Sequence, residues 1–319
     1  MTLISKAIGN YSKPAYLFPG QGSQAVGMGK ELYENSSAAK DLLDNIDDAL
    51  NRNLTDLMFN GPEEELKKTI NAQPAIMAIS LACLKAMHEN IESSKIKPPI
   101  LLAGHSLGEY TALAVSEVLS IENTAWLVQK RGELMQKACD ENPGSMAAIL
   151  GLDEMVIQEI AIETGTYISN INTPDQIVIS GDRINLARAL DLASARGAKK
   201  AVPLNVEGAF HSALMKPAMI GLIEAVNELE FNDPKTPIIA NSNALPLITG
   251  KNVKDELVSQ ICQSVQWNNT ISYMMNTGVS HFVEIGPGRA LSGIIKRIDR
   301  NINISNISDM KTILNFSKN

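Results

Sequence analysis

Ile100-Leu101-Leu102-Ala103-Gly104-His105-Ser106-Leu107-Gly108 is an apolar run that ends in a G-x-S-x-G pattern. The run follows the break at Pro98-Pro99 and is short enough for a buried parallel strand. A helical pattern begins after Ser106. A sharp strand-to-helix turn leaves no room for side chains beside the serine, and glycines at 104 and 108 remove that clash. Such a turn holds the hydroxyl at a helix N-terminus, where backbone N–H groups point at incoming negative charge. Upstream, Ala15 to Phe18 reads as a strand running into PGQGSQAVGMG, with a helix to about Glu34. GPEEELKKT, from Gly61, has Pro62 and acids at a helix start. Residues 73–90 carry apolar positions at helical spacing and predict a buried helix.

Residues 145–204 have a different grain. MAAIL (146–150), YISNI (167–171), QIVIS (176–180) and KKAVPL (199–204) read as strands. Asn172-Thr173-Pro174-Asp175 is the turn between the middle two. Helices are predicted from Asp153 to Glu163, and from Gly181-Asp182 to about Arg196 with Gly197 as the stop. The order β-α-β-β-α-β is the ferredoxin-like unit, read here as a small domain (139–208) inserted into a larger α/β domain (1–138 and 209–319). HFVEI (281–285) resumes the larger domain as a strand.

The chain has 319 residues, 45% hydrophobic and 20% charged, an ordinary composition for a soluble globular enzyme. Net charge is −7 with no basic patch, so nucleic acid is not an expected partner. An acidic partner protein would need a local basic patch. The three cysteines, Cys83, Cys139 and Cys262, show no metal-ligand spacing and are read as reduced, in a reducing compartment. No apolar run reads as long enough to span a membrane. Residues 1–13 lack a signal-peptide core, and a short leader remnant is the alternative there.

A serine hydroxyl needs a base at neutral pH. The four histidines are His88, His105, His211 and His281. His88, near the end of an apolar helix, and His281, at a strand start, read as structural. His105 adjoins Ser106 but is expected to point away from it. His211, in the loop GAFHSALMKP before a helix starting near Ser212, has the freedom to reach the serine. The residues alone favour His211 and leave His105 as the alternative. No acid stands out as a third member: Asp182 reads as a helix cap, Asp153 and Asp191 as exposed. A backbone carbonyl can hold the imidazole tautomer instead.

FPGQGSQAVGMG (18–29), GHSLGEYTAL (104–113), the arginine of QKRGELMQ (129–136), GAFHSALMKPA (208–218), QICQSVQW (260–267) and VEIGPGRAL (283–291) together resemble the malonyl-CoA:acyl carrier protein transacylases. They also resemble the acyltransferase domains of polyketide synthases. The blocks cover the chain from about residue 15 onward. The resemblance implies an α/β-hydrolase-like large domain with a parallel sheet, beside the ferredoxin-like small domain. It implies Ser106 as the acylated nucleophile and His211 as its base. It further implies Arg131 as the clamp on the malonyl carboxylate, the backbone N–H groups of Gln21 and Leu107 as the oxyanion hole, and the carbonyl of Gln260 as the group orienting the histidine. Gln263-Ser264 stands where many relatives have a small polar residue and proline. Phe210 before His211 follows the order of malonyl-selective members.

The activity implied is transfer of malonyl from malonyl-CoA to the phosphopantetheine thiol of acyl carrier protein, in fatty acid synthesis, with no metal and no bound cofactor. A monomer in the cytoplasm, away from nucleic acid and membrane, is the expectation. The alternatives are a polyketide synthase acyltransferase acting in trans and an acyl-thioester hydrolase. Gly20-Gln21-Gly22-Ser23-Gln24-Ala25 formally fits a dinucleotide-binding loop, but Pro19 and the lack of a following strand ending in an acid argue against it.

Overall fold

The computed structural model describes residues 13–206 and 208–317; the leader reading of residues 1–13 lies, but for its last residue, outside them. Among the described residues, ten strands form two sheets: β1 (Pro14–Phe18), β2 (Leu101–Gly104), β3 (Ser145–Leu150), β4 (Tyr167–Thr173), β5 (Gln176–Gly181), β6 (Lys200–Pro203), β7 (Ile238–Ile239), β8 (Pro246–Leu247), β9 (His281–Ile285) and β10 (Ile304–Ile307). The larger sheet has the order β10-β9-β1-β2-β7-β8 and is parallel except for the β7–β8 pair. Helices cover both of its faces, so every residue of β1 and β2 is buried and the strands read as unbroken apolar runs. The smaller sheet, β4-β5-β3-β6, is antiparallel throughout.

The smaller sheet joins the rest through β3. Ala147 and Ile149 face the helices Glu154–Thr164 and Arg183–Ala195, whereas Met146 and Ala148, on the opposite side, enter the main core. A strand buried on both faces shows no polar alternation, which is why MAAIL is apolar from end to end.

Several elements differ from the sequence reading. The helix predicted over 73–90 runs from Thr69 to Asn90 with Pro74 inside it, where one intrahelical N–H bond is lost. By length and composition that helix is also able to cross a membrane, contrary to expectation; its apolar window is 83% buried within the protein. The β4 and β5 strands extend to Thr173 and from Gln176, so the turn shrinks to Pro174-Asp175, closed by Thr173 Oγ1 donating to Asp175 Oδ1 at 2.7 Å. A single 3-10 turn, Ala213–Met215, follows His211, and the helix proper is Lys216–Asn227.

The turn between β2 and the helix Leu107–Val115 has the predicted form. Ser106 sits there at φ 52°, a strained conformation for a residue with a Cβ. A Cβ on Gly104 would overlap the backbone of Gly108, and a Cβ on Gly108 would overlap the carbonyl oxygen of Phe18 at the end of β1. Both obstacles are main chain and cannot rotate away. Gly108→Ala is therefore expected to lower unfolding free energy by about 2–3 kcal/mol, read from urea denaturation; wild-type stability would contradict this packing.

Candidate active site

Ser106, His211 and Arg131 come from three separate segments and line one cavity, and Gln260, from a fourth, bonds both Arg131 and His211. Ser106 Oγ lies 2.8 Å from His211 Nε2 and 3.2 Å from Nη2 of Arg131. Arginine can only donate, so its N–H occupies a lone pair of the serine oxygen. The serine O–H is left to donate to the imidazole.

The other ring nitrogen fixes the tautomer. His211 Nδ1 lies 2.9 Å from the carbonyl oxygen of Gln260 and 3.1 Å from that of Gln263. Both partners accept, so Nδ1 carries the hydrogen and Nε2 is bare, as a base requires. The residue that departs from the family pattern, Gln263, thus supplies a second carbonyl. His211 is only 4% exposed. Burial pushes its pKa down to about 3, and the Arg131 charge pushes in the same direction. The imidazole is neutral at physiological pH.

Arg131, on the helix Ile121–Glu141, is 1% exposed. Gly132 beside it lets this helix approach the backbone of Thr69 and Ile70 closely. Its Nη1 donates to Gln73 Oε1 at 2.8 Å and its Nη2 to Gln260 Oε1 at 3.0 Å, and the guanidinium lies 5.0 Å from the Tyr110 ring centre. All of these partners are neutral, and among the described residues no carboxylate forms an ion pair with Arg131. Its Nε has no partner among them either. A buried cation held only by neutral groups is ready for an incoming anion.

The backbone around Ser106 is also partitioned. Its N–H donates to Asn241 Oδ1 at 2.6 Å, and Asn241 Nδ2 donates to the carbonyl of Gly104 at 2.7 Å, so one side chain ties both ends of the bend. The next N–H, of Leu107, opens the helix and has no intrahelical acceptor. Gln21, anchored by its side chain to Thr69 Oγ1 at 3.2 Å, lines the same cavity. That cavity holds about 110 Å³ and is bordered by Gln21, Ser106, Leu107, Arg131, Phe210 and His211.

His105 takes no part in that constellation. It borders the same cavity, but its Nε2 pairs with Asn172 Oδ1 at 3.0 Å and its ring lies 5.4 Å from that of Trp267, so it braces the bend and does not bond the serine hydroxyl. His281 bonds Ser305, and Asp182 caps a helix by accepting from Ile184 and Asn185. Gln73, Asn241 and the buried Glu109 were missed by sequence reasoning. Their partners come from distant segments, so no local pattern marks them.

Residues 15–314 match the family described as the acyl transferase domain. The chain is 43% identical over 307 residues to the malonyl CoA-acyl carrier protein transacylase of Bacillus subtilis (strain 168), covering 95% of both chains. It is 38% identical to that of Staphylococcus aureus (strain MRSA252), over 97% of this chain and 99% of the relative. The chain belongs to the acyl transferase family. Among solved structures, the acyl-carrier-protein-S-malonyltransferase of Bartonella henselae superposes with a TM-score of 0.91 at 39% identity, over 95% of this chain and 98% of that one. A malonyl-transacylase in complex with a type II PKS acyl-carrier protein gives 0.92 at 36% identity, over 96% and 99%.

The neutral buried imidazole has a measurable consequence. In the unfolded chain histidine binds a proton near pH 6.5, whereas folded His211 does so only near 3. Stability from this group is therefore complete above pH 6.5 and falls by about 1.4 kcal/mol per unit as pH drops through that window. In a 15N-histidine NMR titration, the His211 ring is expected to remain a neutral Nδ1–H tautomer from pH 8 to pH 5; titration near 6.5 would contradict the burial argument.

Proposed function

We propose that the chain transfers the malonyl group from malonyl-CoA to the phosphopantetheine thiol of acyl carrier protein, through a malonyl ester on Ser106. The observation that carries this reading is the placement of Ser106 Oγ between the bare Nε2 of His211 and the Arg131 guanidinium. His211 accepts the serine proton as Oγ attacks the thioester carbonyl. The tetrahedral oxyanion is held by the N–H groups of Leu107 and Gln21, each such donor worth about a hundredfold or more in rate. The C–S bond breaks, and the proton on His211 goes to the departing CoA sulfur. In the second half, His211 takes the proton of the carrier thiol, the thiolate attacks the ester, and Ser106 Oγ recovers the proton. The Gln260 carbonyl keeps the imidazole in its reactive tautomer throughout.

Arg131 binds the distal carboxylate of the malonyl group. A guanidinium desolvated beside the nucleophile favours an acyl group bearing an anion over acetyl, and the small cavity favours a short chain over a fatty one. It also argues against simple thioester hydrolysis, which has no need of such a clamp. The relatives named as malonyl CoA-acyl carrier protein transacylases support the donor and acceptor pair. They also support a role in supplying malonyl units to fatty acid synthesis.

We read residues 1–138 and 209–319 as an α/β-hydrolase-like catalytic domain and 139–208 as a ferredoxin-like domain, supported by the βαββαβ order around β3 to β6. We further read the enzyme as a cytoplasmic monomer that uses no bound cofactor or metal and contacts neither nucleic acid nor membrane. The net charge of −7 supports the part of that reading that concerns nucleic acid.

Incubation with radiolabelled malonyl-CoA is expected to label the wild type and not Ser106→Ala; label persisting on the variant would exclude the ester. Arg131→Ala is expected to lower kcat/KM for malonyl-CoA by about 10–100-fold, the value of one or two charge-assisted hydrogen bonds, with acetyl-CoA affected much less. An unchanged malonyl preference would remove the clamp.

A further inference from the structure

Glu109 is the one carboxylate buried in the first turn of the helix that follows Ser106, with no exposed surface. Its two oxygens serve different neighbours. One accepts from the side-chain amide of Gln260, and the other accepts from the backbone N–H of Asn241 at 3.3 Å. These two neighbours hold the site together. Asn241 ties Gly104 and Ser106 at the bend. Gln260 gives its carbonyl to His211, its Oε1 to Arg131, and a second amide hydrogen bond to the Ser106 carbonyl at 2.9 Å.

The orientation of the Gln260 amide is forced. Arg131 has only donors, so Gln260 must turn its oxygen toward the guanidinium and its NH2 the other way. An NH2 group buried there needs an acceptor, and Glu109 provides one. The same carboxylate lies one amide away from the Arg131 charge. It acts on Arg131 only through that amide and leaves the guanidinium edge unoccupied, which a directly paired acid would block. Burial, and then the neighbouring Glu256, raise the Glu109 carboxyl well above the usual carboxylate range, against the opposing pull of Gln260, Asn241 and the Arg131 charge.

We propose that Glu109 is a positioning residue for malonyl selectivity, acting through the Gln260 amide to hold Arg131 open toward the substrate carboxylate. The proposal rests on the assignment of Arg131 as the clamp. Glu109→Gln keeps the size of the side chain but places a donor against one of two donors, either Gln260 or Asn241. Where the new NH2 faces Gln260, as the proposal requires, the Gln260 amide turns and Arg131 loses its acceptor.

The test measures kcat/KM for Ser106 acylation by malonyl-CoA and acetyl-CoA in wild type, E109Q, R131A and the double variant. E109Q is expected to lower the malonyl-over-acetyl ratio by about tenfold or more, as loss of a hydrogen bond to a charged group does. In the R131A background E109Q is expected to change that ratio little, because both act on one contact. Equal loss on both substrates, or losses in the ratio that add in the double variant, would reduce Glu109 to general structural support and overturn the proposal. If E109Q does not fold by circular dichroism, Gln260→Met removes the same amide bridge while keeping the carbonyl on His211. It is expected to show the same loss of preference, and retained preference would overturn the proposal. R131A with wild-type selectivity would sink the clamp and this inference together. A crippled R131A beside an unaltered E109Q would sink this inference alone.

Discussion

The hydrogen bond from Ser106 Oγ to the bare nitrogen of His211 is the contact on which the rest of the molecule converges. Its two partners lie 105 residues apart in the chain, and neither sits in a relaxed backbone: Ser106 has φ 52° and His211 φ 55°. Such conformations persist only where the surroundings over-determine them. Here the surroundings are β1 and β2 beneath the bend, Gly104 and Gly108 inside it, Asn241 across it, and the Gln260 and Gln263 carbonyls behind the imidazole. The parallel sheet fixes the serine. The loop after β6, closed down by Ser212 and the turn that follows, fixes the base.

Burial then sets the chemistry. A guanidinium and an imidazole share a small cavity with little water, and both are more costly to charge there than in solution. The arginine stays charged, its two terminal nitrogens held by neutral amides and the Ser106 hydroxyl. The histidine gives way, and its proton affinity falls far below the ordinary range. Burial is the larger cause of that fall and the Arg131 charge the smaller. On the proposed reading, a malonyl carboxylate bound at Arg131 offsets the smaller one, and the imidazole regains part of its proton affinity when the substrate is in place. A base that is neutral in the empty enzyme and stronger in the loaded one suits a reaction in which it must accept and return a proton twice.

The bend at Ser106 was legible in the sequence because a steric demand for glycine on both sides leaves a pattern in the letters. The βαββαβ stretch was legible because strand and helix periods alternate there at short intervals. The residues alone favoured His211 without excluding His105. The path of the loop after β6 and the capture of His105 by Asn172 are tertiary facts. Arg131 looks like any helix arginine until its burial is seen; the resemblance to a family, not its own surroundings in sequence, picked it out. Gln73, Asn241 and Glu109 stayed hidden for a related reason. Hydrogen-bond partners drawn from distant segments leave no spacing to read. The early start of the helix at Thr69 was masked by Asn71, Gln73 and Pro74, residues that weaken a helical pattern and are buried here.

The central claim is that His211 acts as the base for Ser106. It is tested most directly by rapid-quench measurement of the first malonylation of the enzyme in wild type and His211→Ala, with and without added imidazole. The account predicts a fall of about 10²–10⁴-fold in the acylation rate, with partial recovery when imidazole fills the vacated space. Acylation within a few-fold of wild type in the variant would contradict it.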